Sequence, residues 1–79
     1  LEYGTAKVEI HTDAIKAGWN IVVHDDLLAT GGTAVAASKL VQRLGGNITS
    51  FLFILELSFL DGRTRLIDYS KSIKSLVKY

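Results

Sequence analysis

"IVVHDDLLATGGT", Ile21 to Thr33, is the stretch on which the reading of this chain turns. It opens on three consecutive β-branched residues, Ile21, Val22 and Val23, which favour extended backbone. An unbroken apolar run of that kind marks a strand buried inside a sheet. Two carboxylates follow, Asp25 and Asp26, and then a short segment ending in a glycine pair between threonines, Thr30-Gly31-Gly32-Thr33. From Thr33 the period changes. Ala37, Leu40, Val41 and Leu44 recur at helical spacing, while Ser38, Lys39, Gln42 and Arg43 fall on the other side. Gly45-Gly46 stops this helix, because glycine readily adopts the left-handed cap.

Outward from that core the pattern repeats. Ile48 to Leu57 is a second near-continuous apolar stretch and is expected to be a second buried strand. Asp61-Gly62 reads as a turn, Arg63 to Ile67 as one helical turn, and Ile73 to Val77 as a last strand. Upstream, Lys7-Val8-Glu9-Ile10 alternates polar and apolar as a half-exposed strand does, and Asp13 to Lys16 forms a turn ended by Gly18. Strand, glycine loop, helix and strand make a βαβ unit, with parallel strands and a right-handed crossover. The expected fold class is α/β with a parallel, Rossmann-like sheet.

The loop and the acids suggest complementary tasks. Glycines let the backbone turn tightly and approach a ligand closely. The first N–H groups of a helix lack internal partners and sit at the positive end of its dipole, so Ala29 to Thr33 outlines a phosphate site. A plain tight turn explains the same glycine pair. Asp25 and Asp26 would repel a bare phosphate, but ionised carboxylates are pure acceptors and suit the two donors of a sugar diol. They lie toward the carboxyl end of the strand, where open α/β sheets bind ligands. The alternative is that one of them only caps the loop.

The thirteen residues Ile21 to Thr33 resemble the phosphoribosyl pyrophosphate (PRPP) motif of type I phosphoribosyltransferases: an apolar strand, two acids, a short loop and Gly-Thr. "DDLLATGGT" is most similar to the adenine phosphoribosyltransferase branch. The flanks agree: "LEYG" at 1–4, "EIHTDAI" at 9–15, "KLVQRLGG" at 39–46, "DGR" at 61–63 and "SLVKY" at 75–79 all look like the C-terminal half of that branch. The resemblance covers essentially the whole chain. It implies that residues 1–79 are the C-terminal part of a single phosphoribosyltransferase domain. It also implies transfer of phosphoribose from PRPP to adenine, giving AMP and diphosphate, with Mg2+, in a cytoplasmic homodimer serving purine salvage. Residue by residue it implies that Ala29, Thr30, Gly31, Gly32 and Thr33 bind the 5′-phosphate and that Asp25 and Asp26 bind the ribose hydroxyls. Glu2 matches the acidic residue of the mobile catalytic loop, and Tyr3 its aromatic neighbour. Two other readings stay open: a PRPP-binding regulatory module, and a transferase for another purine such as xanthine.

Composition bounds these readings. At 79 residues the chain is at most one small domain, yet 48% of it is hydrophobic, and it begins with Leu rather than Met. Surface-to-volume scaling makes so apolar a chain hard to bury alone, so it is expected to be a piece of a longer protein. The resemblance implies that the base pocket and diphosphate loop belong mainly to the N-terminal half of the family's domain, so this chain is expected to be unable to catalyse transfer by itself. A net charge of +1 gives no electrostatic case for nucleic acid or a membrane surface, and the longest apolar run, Phe51 to Leu55, is far too short to span a bilayer. With no cysteine and only His11 and His24, no protein-borne metal cluster is expected. His24 departs from the aliphatic residue usual in the family and is expected to be a paired core histidine or to face the site. Trp19 is read as packing or surface. Glu56 ends its strand either as a solvated terminus or at the edge of the site. Lys71, Lys74 and Lys78 are read as a solvated face.

Overall fold

The structure, a computed structural model, describes residues 14–79. Strand β1 (Asn20–Leu28) is followed by helix α1 (Gly32–Arg43), strand β2 (Asn47–Glu56), a 3-10 turn (Ser58–Leu60), the short helix α2 (Gly62–Leu66) and strand β3 (Ile73–Lys78). The three strands form one sheet in the order β1-β2-β3, and both pairings are parallel. The expected βαβ unit is therefore present. The alternating segment at 7–10 lies outside the described residues.

β1 runs on to Leu28, so Asp25 and Asp26 belong to the strand, and the loop before α1 is only Ala29–Gly31. The ladder explains this: Asp25, Leu27 and Leu28 pair with Phe53, Leu55 and Glu56, and the Leu57 N–H still donates to the Leu28 carbonyl (2.9 Å).

The core lies on one face of the sheet. Phe51 and Phe53, two residues apart on β2, are fully buried and their rings stack with centroids 6.4 Å apart. They pack with Val23 and Leu28 of β1, Ala34 and Val35 of α1, Leu66 of α2 and Ile73 of β3. Burying each phenylalanine contributes on the order of 2–3 kcal/mol. On the other parity, Val22, Leu52 and Ile54 are exposed, so the expectation of strands buried on both faces fails among the described residues. The helices pack on one side only, which leaves a near-continuous apolar strand half-covered. The sequence pattern is that of a sheet covered on both faces.

Helix α1 is turned further than its apolar pattern suggests. Ala34, Val35, Ser38 and Val41 are its buried positions. Ser38, expected on the polar side, is completely buried. Its hydroxyl donates to the Ala34 carbonyl one turn back (2.7 Å), which removes the cost of burying it, and its small size lets the helix approach the sheet. Lys39, Gln42 and Arg43 are exposed as expected. The helix stops where the glycines predict. Gly45 is left-handed (φ 85°), its N–H donates to the Gln42 carbonyl and that of Gly46 to the Val41 carbonyl, both 2.9 Å.

Candidate functional site: the loop between β1 and α1

Three residues, Ala29 to Gly31, connect the carboxyl end of β1 to the first turn of α1. Gly31 is the N-cap and adopts φ 89°, a left-handed conformation that favours glycine. Its carbonyl accepts from the Val35 N–H (2.9 Å) and so begins the helix. No side chain caps this end, and no acidic residue occupies the first turn. The leading N–H groups of a helix have no carbonyl four residues back to bond. At this end the protein supplies positive dipole and donors, and nothing negative of its own in the first turn. Gly32 and Thr33 are half-buried, Gly31 is buried and Thr30 is exposed.

The acids sit just before the loop. Asp25 is half-buried and Asp26 exposed. As neighbours on a strand they leave it on opposite sides. The Asp26 N–H donates to Asp25 Oδ1 (2.8 Å), so Asp25 is held by its neighbour's backbone and neither acid is seen to cap the loop. The two carboxylates thus straddle the end of the strand immediately ahead of the uncapped N-terminal end of the helix. That arrangement suits a ligand with hydroxyl donors at one position and an anion a few ångströms further on. Glu2 and Tyr3 lie outside the described residues.

The opposite wall of the loop is built from a segment whose role sequence reasoning missed. Gly62, the first residue of α2, is buried against it. A Cβ added there would stand 2.3 Å from the Ala29 carbonyl oxygen and 3.0 Å from the Gly31 nitrogen. Arg65 Nη1 donates to the Thr30 carbonyl (3.3 Å). Between these two residues Arg63 turns to the sheet. Its Nε and Nη2 donate to the two oxygens of Glu56 (3.2 and 2.8 Å), and its Nη1 to the Ile73 carbonyl (2.8 Å). The Ser75 hydroxyl adds a 2.7 Å bond to Glu56 Oε1. Glu56 is therefore neither a solvated terminus nor a site-edge acid. It is a buried carboxylate whose hydrogen bond from Arg63 holds its pKa below the usual carboxylate range, against the upward push of burial. The signal available in the sequence was the arginine seven residues on, but nothing local shows that the chain doubles back.

His24 is also placed differently from expectation. It is exposed, and its Nδ1–H donates to the Leu52 carbonyl across the sheet (2.8 Å). It lies on the side of β1 away from the packed core. Trp19, Lys71, Lys74 and Lys78 are exposed, in keeping with the surface reading.

Comparison with known proteins finds relatives in sequence and in fold. No family model matches. Among curated proteins, the adenine phosphoribosyltransferase of Alkaliphilus metalliredigens is 56% identical over all 79 residues, which cover 45% of its length. The fold agrees as closely. The crystal structure of adenine phosphoribosyltransferase from Thermoanaerobacter pseudethanolicus superimposes with a TM-score of 0.88 at 52% identity, over 100% of this chain and 46% of that one. Over its whole length this chain is similar in sequence and fold to part of the adenine phosphoribosyltransferases. The Saccharomyces cerevisiae adenine phosphoribosyltransferase, complexed with an imino-altritol bisphosphate and adenine, matches 85% of the chain and 36% of its own with a TM-score of 0.77 at 42% identity. The chain thus spans less than half the length of the relatives it matches. Its three parallel strands and helices are the corresponding part of the phosphoribosyltransferase fold.

Proposed function

We propose that this chain is the C-terminal part of a single adenine phosphoribosyltransferase domain and carries the half of the site that holds PRPP and AMP. The observation that carries the reading is the open N-terminus of α1 behind a left-handed Gly31, with Asp25 and Asp26 just ahead of it. In this reading the amides and hydroxyls of Ala29 to Thr33 bind the 5′-phosphate, and Asp25 and Asp26 accept hydrogen bonds from the ribose hydroxyls. In the reaction N9 of adenine bonds to the anomeric carbon, the bond from that carbon to diphosphate breaks, and diphosphate leaves with the electron pair. Positive character on the ribose ring is stabilised by the nearby carboxylates. The proton lost from N9 goes to a base, for which Glu2 is the candidate with Tyr3 beside it.

Mg2+ is proposed to come as a companion of the substrate, since it is commonly held by one or two carboxylates together with substrate phosphates. Asp25 and Asp26 are the residues here that would hold it, and when bound it would supply charge neutralisation for the departing diphosphate. The assembled enzyme is proposed to be a cytoplasmic homodimer acting in purine salvage. No helix among the described residues is long and apolar enough to cross a membrane.

The test is made on the full-length enzyme. Purified protein given adenine, PRPP and Mg2+ is expected to form AMP, and Asp25→Asn with Asp26→Asn should raise the KM for PRPP by about tenfold or more, as loss of charge-assisted bonds implies. Binding of PRPP without AMP formation would favour the regulatory reading. Turnover of xanthine in place of adenine would reassign the base.

A further inference from the structure

The geometry points to Gly62, Arg63 and Arg65 as positioning residues that hold the phosphate loop in its binding shape, with Glu56 as their anchor in the sheet. This inference rests on the reading of Ala29 to Thr33 as the 5′-phosphate site. The contact between the two glycines is backbone on backbone and reciprocal. A Cβ at Gly62 would strike the Ala29 carbonyl oxygen at 2.3 Å, and a Cβ at Gly31 would strike the Gly62 carbonyl oxygen at 2.8 Å. Both glycines are buried. Gly31 needs glycine for its left-handed φ of 89°. Gly62 has no such conformational need, so its lack of a side chain serves the close approach alone.

The wall is fixed at both ends. Arg65 ties it to the loop through the Thr30 carbonyl. Arg63 ties it to the sheet through both oxygens of Glu56 on β2 and the Ile73 carbonyl at the start of β3. A fork-to-fork pair fixes direction as well as distance. An ion pair built on a buried carboxylate is a poor way merely to fill space, since well-packed apolar side chains do that at lower cost. What the pair supplies here is an orientation, passed from the sheet through residues 62–65 to the loop. A phosphate held by converging N–H groups is sensitive to that orientation, because misplacement by about 1 Å can cost on the order of a hundredfold.

The experiment uses the full-length enzyme and ribose 5-phosphate, which probes the phosphate and ribose contacts without the base. Calorimetric Kd for ribose 5-phosphate and KM for PRPP and for adenine are measured for Gly62→Ala, Arg63→Lys and Arg65→Gln. Val41→Ala, a core substitution toward the other end of α1, controls for lost stability. Gly62→Ala is expected to raise the Kd for ribose 5-phosphate and the KM for PRPP together by about tenfold or more, while the KM for adenine changes less than about twofold. Arg63→Lys, which keeps the charge and loses the fork, should give a smaller loss of the same selectivity. Arg65→Gln is exposed enough to fold in any case and should give a rise of a few fold. Wild-type affinity for ribose 5-phosphate in Arg63→Lys and Arg65→Gln, alongside a lowered Tm, would overturn the inference and leave simple packing. The same loss of affinity in Val41→Ala would overturn it too. Failure of the unmodified enzyme to bind ribose 5-phosphate would instead remove the phosphate-site reading on which the inference stands.

Discussion

Helix α1 begins and ends on a left-handed glycine, Gly31 at φ 89° and Gly45 at φ 85°, and the two ends are otherwise opposites. At the Gly45 end the chain satisfies itself. Two N–H groups fold back onto the carbonyls of Gln42 and Val41, and Lys39, Gln42 and Arg43 face water. At the Gly31 end no side chain caps the helix and no acid sits in the first turn, although Ser, Thr, Asp or Asn at such a position commonly contributes about 1 kcal/mol. The loop there is backed by Gly62 instead of by a cap. The same backbone conformation therefore serves a closed stop at one end and an open donor set at the other. An omitted cap at a buried, buttressed helix start is a sign of function that helix propensity alone does not show.

The largest expected effect separates these ends. Gly31→Ala in the full-length enzyme combines left-handed strain of about 1–2 kcal/mol with a Cβ placed 2.8 Å from the Gly62 carbonyl oxygen. The loop must move, and ribose 5-phosphate affinity should fall by about a hundredfold or more. Gly45→Ala carries the same strain and brings a Cβ to 3.0 Å from that of Ala17, but it touches no ligand. It should lower stability by about 1–2 kcal/mol and leave ligand affinity unchanged. Calorimetry and urea unfolding on the two variants decide the matter. Equal losses of affinity would break the comparison.

The next effect tests the anchor behind the open end. Glu56 is buried but Arg63 keeps about a third of its side chain exposed. Arg63→Met therefore leaves a buried carboxylate short of its main donor and should cost about 1–3 kcal/mol at pH 7, less than the loss from a fully buried pair. Its pH dependence is the sharper reading. In the wild type the folded Glu56 carboxyl has its pKa lowered from 4.5, first by the hydrogen bond from Arg63. The unfolded chain then takes up a proton at higher pH than the folded one. The pair's contribution is fully present above about pH 4.5 and drains away as pH falls through the lower folded value. In Arg63→Met the largest lowering influence is gone, and burial is opposed only by the Ser75 bond and the Lys78 charge, so the folded pKa moves up from its wild-type position. The stabilisation lost on acidification shrinks, and the gap between variant and wild type should narrow on going from pH 7 to pH 4 in urea unfolding. A gap that is constant with pH would mean that the ion pair is not what Arg63 contributes.

What the sequence made legible, and what it did not, divides along the same line. The strand, loop and helix from Ile21 to Gly46 were readable because each depends on its own neighbours: a β-branched run, a glycine pair, a helical period and a second glycine pair. Glu56 and His24 were not, since each is a polar residue whose placement depends on a partner its local pattern does not show, and Ser38 was not because a hydroxyl bonded within its own helix can be buried where polarity suggests water. The Ser38 hydroxyl is satisfied one turn back along its own helix. Glu56 depends on an arginine brought round by the turn at Asp61, and His24 on a carbonyl of the next strand. The single residue Gly62 illustrates the limit best. In the sequence it is the middle of an ordinary Asp-Gly-Arg turn, and only the fold brings it against Ala29 and Gly31.

The smallest expected effect lies between the two ends of α1 and checks that the middle of the helix is a neutral reference. Ser38 is completely buried, yet its hydroxyl bonds only to the Ala34 carbonyl, an oxygen that the helix already supplies with a backbone N–H donor. Ser38→Ala therefore removes a donor without orphaning its acceptor. The lost bond is worth about 1 kcal/mol, and the better helix propensity of alanine returns roughly half of that. Stability should change by less than about 1 kcal/mol, and ribose 5-phosphate affinity should not change. Ser38→Leu is the instructive opposite. Its larger side chain has no room between α1 and the sheet and should cost about 1–3 kcal/mol through overpacking, pushing the helix outward. Because Gly31 is the cap of that helix, such a push would also reach the loop of residues 29–31, so a measurable loss of ligand affinity is expected for leucine and none for alanine. Affinity unchanged in both would show that residues 62–65 hold the loop independently of the helix it begins.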